Sequence, residues 1–153
     1  MVSFAELSGP DAGADSLLAA HVALMRSQSP TESCHVMTAD DLRASGARVF
    51  AGRDGDGAVV AIGALKPFGD GAAELKSMHC AQALRGQGLG RALLAHLEAE
   101  ARAAGLRTLW LETGSDAQFA AARGLYRSAG FSDCPPFGDY RADPLSVFMT
   151  REL

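Results

Sequence analysis

Between Glu74 and Leu106 the chain reads ELKSMHCAQALRGQGLGRALLAHLEAEARAAGL, and no other stretch restricts the fold as much. A strand-like segment gives way to a glycine-rich turn, Arg85-Gly86-Gln87-Gly88-Leu89-Gly90, and then to a long amphipathic run. Leu89, Leu93, Leu97, Ala101 and Ala104 recur at helical spacing on one face, with Arg91, Glu98 and Arg102 off it. Gly105 stands where a helix ends on a left-handed residue, and Leu106 follows to fold back on the last turn. The spacing predicts a helix that starts at Gln87 or Gly88 and whose first N–H groups lack intrahelical acceptors. Those donors and the aligned peptide dipoles favour an anion, and glycines without a Cβ let a phosphate reach the backbone.

A glycine turn of this kind suits a nucleotide as well as other phosphates, so spacing has to separate the cases. A P-loop requires a lysine after its last glycine, and none is present. A dinucleotide fingerprint fits Gly86-x-Gly88 and an acidic Glu112 on the next strand, yet Arg91 occupies the third glycine position. The chain also fails to continue as alternating strands and helices.

The remaining elements follow from pattern. Val2–Leu7 reads as an edge strand, Ser8-Gly9-Pro10-Asp11 as a turn, and Ser16–Ser27 as a helix on which His21 is an ordinary boundary residue. Thr38 is placed to cap a short helix through Ala44. Arg48–Gly52 and Ala58–Leu65 read as strands joined by Asp-Gly turn chemistry, with Ala72–Cys80 returning beside them. This meander feeds one parallel crossover, through the long helix, to Thr108–Thr113. Ser115 to Gln118 looks like a capping box for a second long helix carrying Phe119, Ala122, Leu125, Tyr126 and Ala129 on one face. Gly124 within it implies close packing, and Phe131–Cys134 with Leu145–Thr150 form a last hairpin. The expected class is α/β with a mixed sheet.

Arg85-x-x-Gly88-x-Gly90 resembles the coenzyme A pyrophosphate loop of the GNAT family of N-acetyltransferases. Leu125-Tyr126-Arg127-Ser128-Ala129-Gly130-Phe131 resembles that family's later LY…GF segment, and the elements between the two match as well. The resemblance runs from about Val49 to the C-terminus. One departure is Phe119, seven residues before the tyrosine, where the family often has asparagine. The resemblance implies a mostly antiparallel central sheet whose parallel strands splay, flanked by helices, and acetyl-CoA as acyl donor without a metal. It implies that Arg85, Gly86, Gln87, Gly88, Leu89, Gly90 and Arg91 hold the diphosphate, while the backbone near Met78, His79 and Cys80 pairs with the pantetheine arm.

Direct transfer to a primary amine needs that amine neutral, and a lysine-like pKa near 10.4 leaves only about one molecule in a few thousand so at pH 7. Glu74 shares strand parity with Met78 and Cys80 and matches a catalytic glutamate of some family members; Glu112 and His79 stand in reserve as bases. Tyr126 matches the family's general acid, which protonates the departing thiolate. The segment between the first helices, with Ser33 and His35, and the late loop with Tyr140 and Arg141 are the candidates for contacting a small amine or amino-acid-like acceptor. A coenzyme A or phosphate sensor without turnover is the alternative, since a phosphate loop carries no chemistry of its own.

Composition narrows the partners. A length of 153 residues fits one domain spanning the chain, and 48% hydrophobic residues with a net charge of −4 describe a globular protein. Arg43, Arg48 and Arg53 are scattered, which argues against nucleic acid. No run approaches the ~20 apolar residues of a membrane span, and no leader pattern opens the chain, so a cytoplasmic protein is expected, with a homodimer open by analogy alone. Cys34, Cys80 and Cys134 read as reduced thiols. Cys34 and His35 are adjacent on an extended segment and face opposite ways, so no cysteine nucleophile is expected.

Overall fold

A computed structural model describes residues 1–30 and 34–153. Its elements are β1 (Ser3–Glu6), α1 (Ala12–Gln28), α2 (Ala39–Ala44), β2 (Arg48–Arg53), β3 (Val59–Pro67), β4 (Ala72–Cys80), α3 (Leu89–Ala103), β5 (Thr108–Gly114), α4 (Ala120–Ser128), β6 (Ser132–Cys134) and β7 (Ser146–Glu152). The strands form one seven-stranded sheet in the order β1-β2-β3-β4-β5-β7-β6. Every neighbouring pair is antiparallel except β4 with β5. The late hairpin is present, and β7 inserts between β5 and β6.

Strand alternation assigns the two faces. Ala61 and Leu65 of β3 point toward α3, whose Leu93, Leu94 and Leu97 are at most 1% exposed, while Ile62 and Ala64 point toward Leu18 of α1 and Leu42 of α2. Helix α3 therefore sits on one face of the sheet and α1 with α2 on the other. Leu93→Ala removes a side chain with no exposure at the centre of the larger cluster. It is expected to cost about 2–5 kcal/mol, read as a fall in thermal midpoint; a loss under 1 kcal/mol would contradict this packing.

Helix starts follow their caps. Asp11 Oδ1 accepts from the Ala14 N–H at 3.0 Å and its other oxygen pairs with Arg53, so α1 begins at Ala12 rather than near Ser16. Thr38 caps α2 as expected, in a reciprocal box with Asp41. The capping box expected at Ser115–Gln118 does not form. The Ser115 hydroxyl donates instead to the Pro144 carbonyl at 2.6 Å, a 3₁₀ turn spans Ala117–Phe119, and α4 starts at Ala120 without a side-chain cap. Arg123 ties this start down through the carbonyls of Gly114 and Asp116, at 2.7 and 2.9 Å.

Two expectations about packing are corrected. Glu98 lies on the buried side of α3 at 6% exposure, because Arg151 of β7 reaches across to pair with it and Arg102 stands 3.8 Å away. Gly124 is exposed, and a Cβ there would meet nothing within 4 Å, so tight packing does not explain it.

Candidate functional site

Strands β4 and β5 pair only at Ala72–Thr108, Ala73–Leu109 and Glu74–Trp110, and then diverge. Beyond the last pair a cavity of about 550 Å³ opens, lined by both strands, the start of α3, α4, the end of α1 and the segment Cys34–Val36. On its β4 wall the register with β3 shifts between Ile62 and Ala64, and Ser77 takes a φ of +57°. A bulge of this kind, costly for a residue with a Cβ, re-aims the backbone groups that follow. The Ser77 hydroxyl is buried with no hydrogen-bond partner among the described residues.

At one end of the cavity is the glycine turn. Gly86 and Gly88 have φ of +79° and +81°, so their backbone is left-handed, and a Cβ at either would meet open space. Gly88 is the N-cap of α3, with no side chain capping it. The first intrahelical bond is Ala92 N–H to the Gly88 carbonyl, which leaves the N–H groups of Leu89, Gly90 and Arg91 free of intrahelical acceptors. A bare left-handed turn, three N–H groups and the side chains of Arg85 and Arg91 suit an anion such as a phosphate. Arg85, Gly86, Gly88, Leu89, Gly90 and Arg91 all line the cavity, whereas Gln87 is exposed and does not. The helix begins one residue past the sequence expectation because Gly88 serves as cap.

Between the glycine turn and the far wall the cavity is lined by two groups with shifted pKa values, Glu112 and Tyr126. Burial pushes the Glu112 carboxyl up to about 7. Tyr126 is 8% exposed, its ring edge-on to Phe131, and burial raises its phenol well above the usual range, with Cys80 and Glu112 adding to the shift. Met78, His79 and Cys80 line the β4 wall. Phe119, standing at the asparagine position, also lines the cavity, and its ring lies over Gly114, where a Cβ would sit 2.0 Å from it.

His21 is no boundary residue. It is 8% exposed, and its Nδ1 lies 3.1 Å from His79 Nδ1, so one Nδ1–H donates to the other ring. Burial pulls His21 down to about 4, with His79 beside it adding to the shift, and burial lowers His79 as well. Both imidazoles are neutral at pH 7. Their partnership spans 58 positions of chain, a separation that leaves no local signal.

At the far end, Glu74 is 5% exposed and accepts a 2.5 Å hydrogen bond from the Tyr140 hydroxyl. Burial, then Glu74, raises the Tyr140 phenol. Lys76 was missed by sequence reasoning, although it shares the inward row of Glu74 and Met78. Its ammonium donates to the His35 carbonyl at 3.1 Å and to the Tyr140 hydroxyl at 3.0 Å, and stands 3.6 Å from Glu74. The His35 ring is edge-on to Tyr140. Phe137, Phe148, Trp110 and Phe68 pack around one another beneath that loop and fix Tyr140 in place. Arg141 is exposed and does not line the cavity; Ser33 lies outside the described residues. Cys34, Cys80 and Cys134 are free thiols. Among the described residues no helix is long and apolar enough to cross a membrane.

Residues 15–131 match the model of the acetyltransferase (GNAT) family. The match begins well before Val49, so the first helices belong to the likeness too. The chain is 40% identical over 138 residues to an uncharacterized N-acetyltransferase of Bacillus subtilis, covering 90% of this chain and 91% of that protein. It is 43% identical over 126 residues to an IAA acetyltransferase of Azospirillum brasilense, covering 81% and 80%. Among solved structures, a Klebsiella pneumoniae protein assigned provisionally to the acyl-CoA N-acyltransferases superposes with a TM-score of 0.81 at 33% identity, over 100% of this chain and 98% of that one. A Bacillus subtilis acetyltransferase solved with CoA shares the fold, with a TM-score of 0.74 at 14% identity over 100% and 99%.

Proposed function

Because the chain belongs to the acetyltransferase (GNAT) family, we propose that it moves an acetyl group from acetyl-CoA to the primary amine of a small or amino-acid-like acceptor. The observation that carries this reading is one continuous cavity, with an anion-binding helix start at one end and Glu112 and Tyr126 beyond it. Acetyl-CoA supplies an acyl group already activated as a thioester. The N–H groups of Leu89, Gly90 and Arg91 grip the diphosphate, and the backbone of Met78 to Cys80, past the bulge, orients the arm.

Among the described residues two carboxylates line the cavity, Glu74 and Glu112, and their surroundings divide the work. Glu74 has one oxygen committed to Tyr140 and a lysine alongside, so it serves to hold charge. Glu112, ionising near neutrality, is matched to accepting the proton that the acceptor must lose. The base proposed is therefore Glu112, one of the two reserves with His79, ahead of Glu74, the first choice from sequence. Tyr126, held protonated at every working pH, is the donor for the departing sulfur.

Incubation with acetyl-CoA and a panel of amines, with free thiol followed, tests the reaction. Release that depends on an amine supports it; coenzyme A binding without release under any amine would leave a sensor instead. Gly88→Val puts a branched side chain at a φ of +81° on the cradle. It is expected to weaken coenzyme A binding by about ten- to a hundredfold in calorimetry, through lost backbone geometry worth on the order of 1–3 kcal/mol. Unchanged affinity would remove the loop from the binding site.

A further inference from the structure

We propose that Lys76 anchors a carboxylate of the acceptor while Glu74 receives its amine end, so that the substrate class is amino acids rather than simple amines. The proposal rests on acetyl transfer to an amine as the reaction.

Lys76 and Glu74 both project from β4 into the cavity, with side chains 10% and 7% exposed. An ammonium has three donors, and two are taken, by the His35 carbonyl and the Tyr140 oxygen. The single Tyr140 proton goes to Glu74 Oε2, and the 3.6 Å from Lys76 to that same oxygen exceeds a hydrogen bond. The third donor of Lys76 and the Oε1 of Glu74 have no hydrogen-bond partner among the described residues. The two charges pair with each other, but a donor position on Lys76 and an acceptor position on Glu74 stand side by side unfilled in a shielded site, where an unmade hydrogen bond is costly.

The complement of such a pair is a molecule with an amino group and a carboxylate on one carbon. A simple monoamine meets Glu74 and leaves the lysine donor unmet. Arg141, which the sequence offered for the carboxylate, is exposed and does not line the cavity. The Lys76 anchor is also rigid, because Tyr140 is wedged against Phe137 and Phe148 with ring centroids 5.1 and 5.4 Å away.

The test compares α-amino acids with their own α-amino amides, by acetyl-CoA-dependent thiol release at matched concentrations of neutral amine. Wild type is expected to favour the acids by roughly tenfold or more in kcat/KM, the scale of a charge-assisted hydrogen bond. Lys76→Met should collapse that ratio toward one, mainly through KM, and Lys76→Arg should restore part of it. Equal use of acids and amides by wild type overturns the proposal, and this arm stands even where Lys76→Met does not fold. An unchanged ratio in a Lys76→Met protein that still binds coenzyme A overturns it as well. Absence of thiol release with every amine is a different result, and it overturns the underlying reaction too.

Discussion

Glu112→Gln is expected to lower kcat by about 10²–10⁴-fold, the usual contribution of a positioned general base, while coenzyme A affinity is retained. The pH profile carries the stronger test. In wild type, kcat/KM should climb as Glu112 ionises through about pH 7 and then level. In the glutamine variant that step disappears and the rate follows the acceptor's own ionisation at higher pH. The same substitution should stabilise the fold. Glu112 goes from its ordinary 4.5 in the unfolded chain to about 7 when folded, so the folded state binds more protons between those values and stability falls as pH rises through that window. Above pH 7 the buried carboxylate costs on the order of 3 kcal/mol, and Glu112→Gln removes that cost. A variant that is slower and no more stable at pH 8 would refute the burial; one that is equally fast would refute the base.

Tyr126→Phe is expected to cost about 10²–10³-fold in kcat with little change in either KM, since it deletes one oxygen from a packed ring and leaves the cavity shape. Because burial holds this phenol protonated far above neutrality, no descending limb from Tyr126 should appear in the wild-type profile below pH 10. A smaller effect of the substitution with a thioester donor whose thiol has a lower pKa would add weight, because a better leaving group needs the proton less. A rate within threefold of wild type would return Tyr126 to a purely packing role beside Phe131.

Much of the scaffold was legible because its signals are local. The run from Leu89 to Ala101 repeats within a few residues, and the turn before it needs backbone that glycine adopts freely, so helix and glycine turn announce themselves together. The meander of β2 to β4 is marked by Asp-Gly turns and alternation. What stayed hidden depends on partners distant in the chain. Ser115 has the right neighbours for a cap, but Pro144, from a loop 29 positions away, accepts its hydroxyl. Glu98 lies off the leucine stripe, yet Arg151 makes it a buried residue. His21 finds His79, and Lys76 finds Tyr140 and the His35 carbonyl, through folding alone. Glu112 stood behind Glu74 in the sequence reading because a letter does not reveal the surroundings that push its carboxyl up to about 7.

The two leaves of the sheet, β1 to β4 and β5 to β6, are stitched by three rungs at Ala72, Ala73 and Glu74. A seam so short behaves as a spine, and the angle at which the leaves open sets the width of everything beyond it. A donor arm laid along that opening with its own amides, as proposed, would add a further rung, so its binding is expected to hold the two leaves together and its departure to release them.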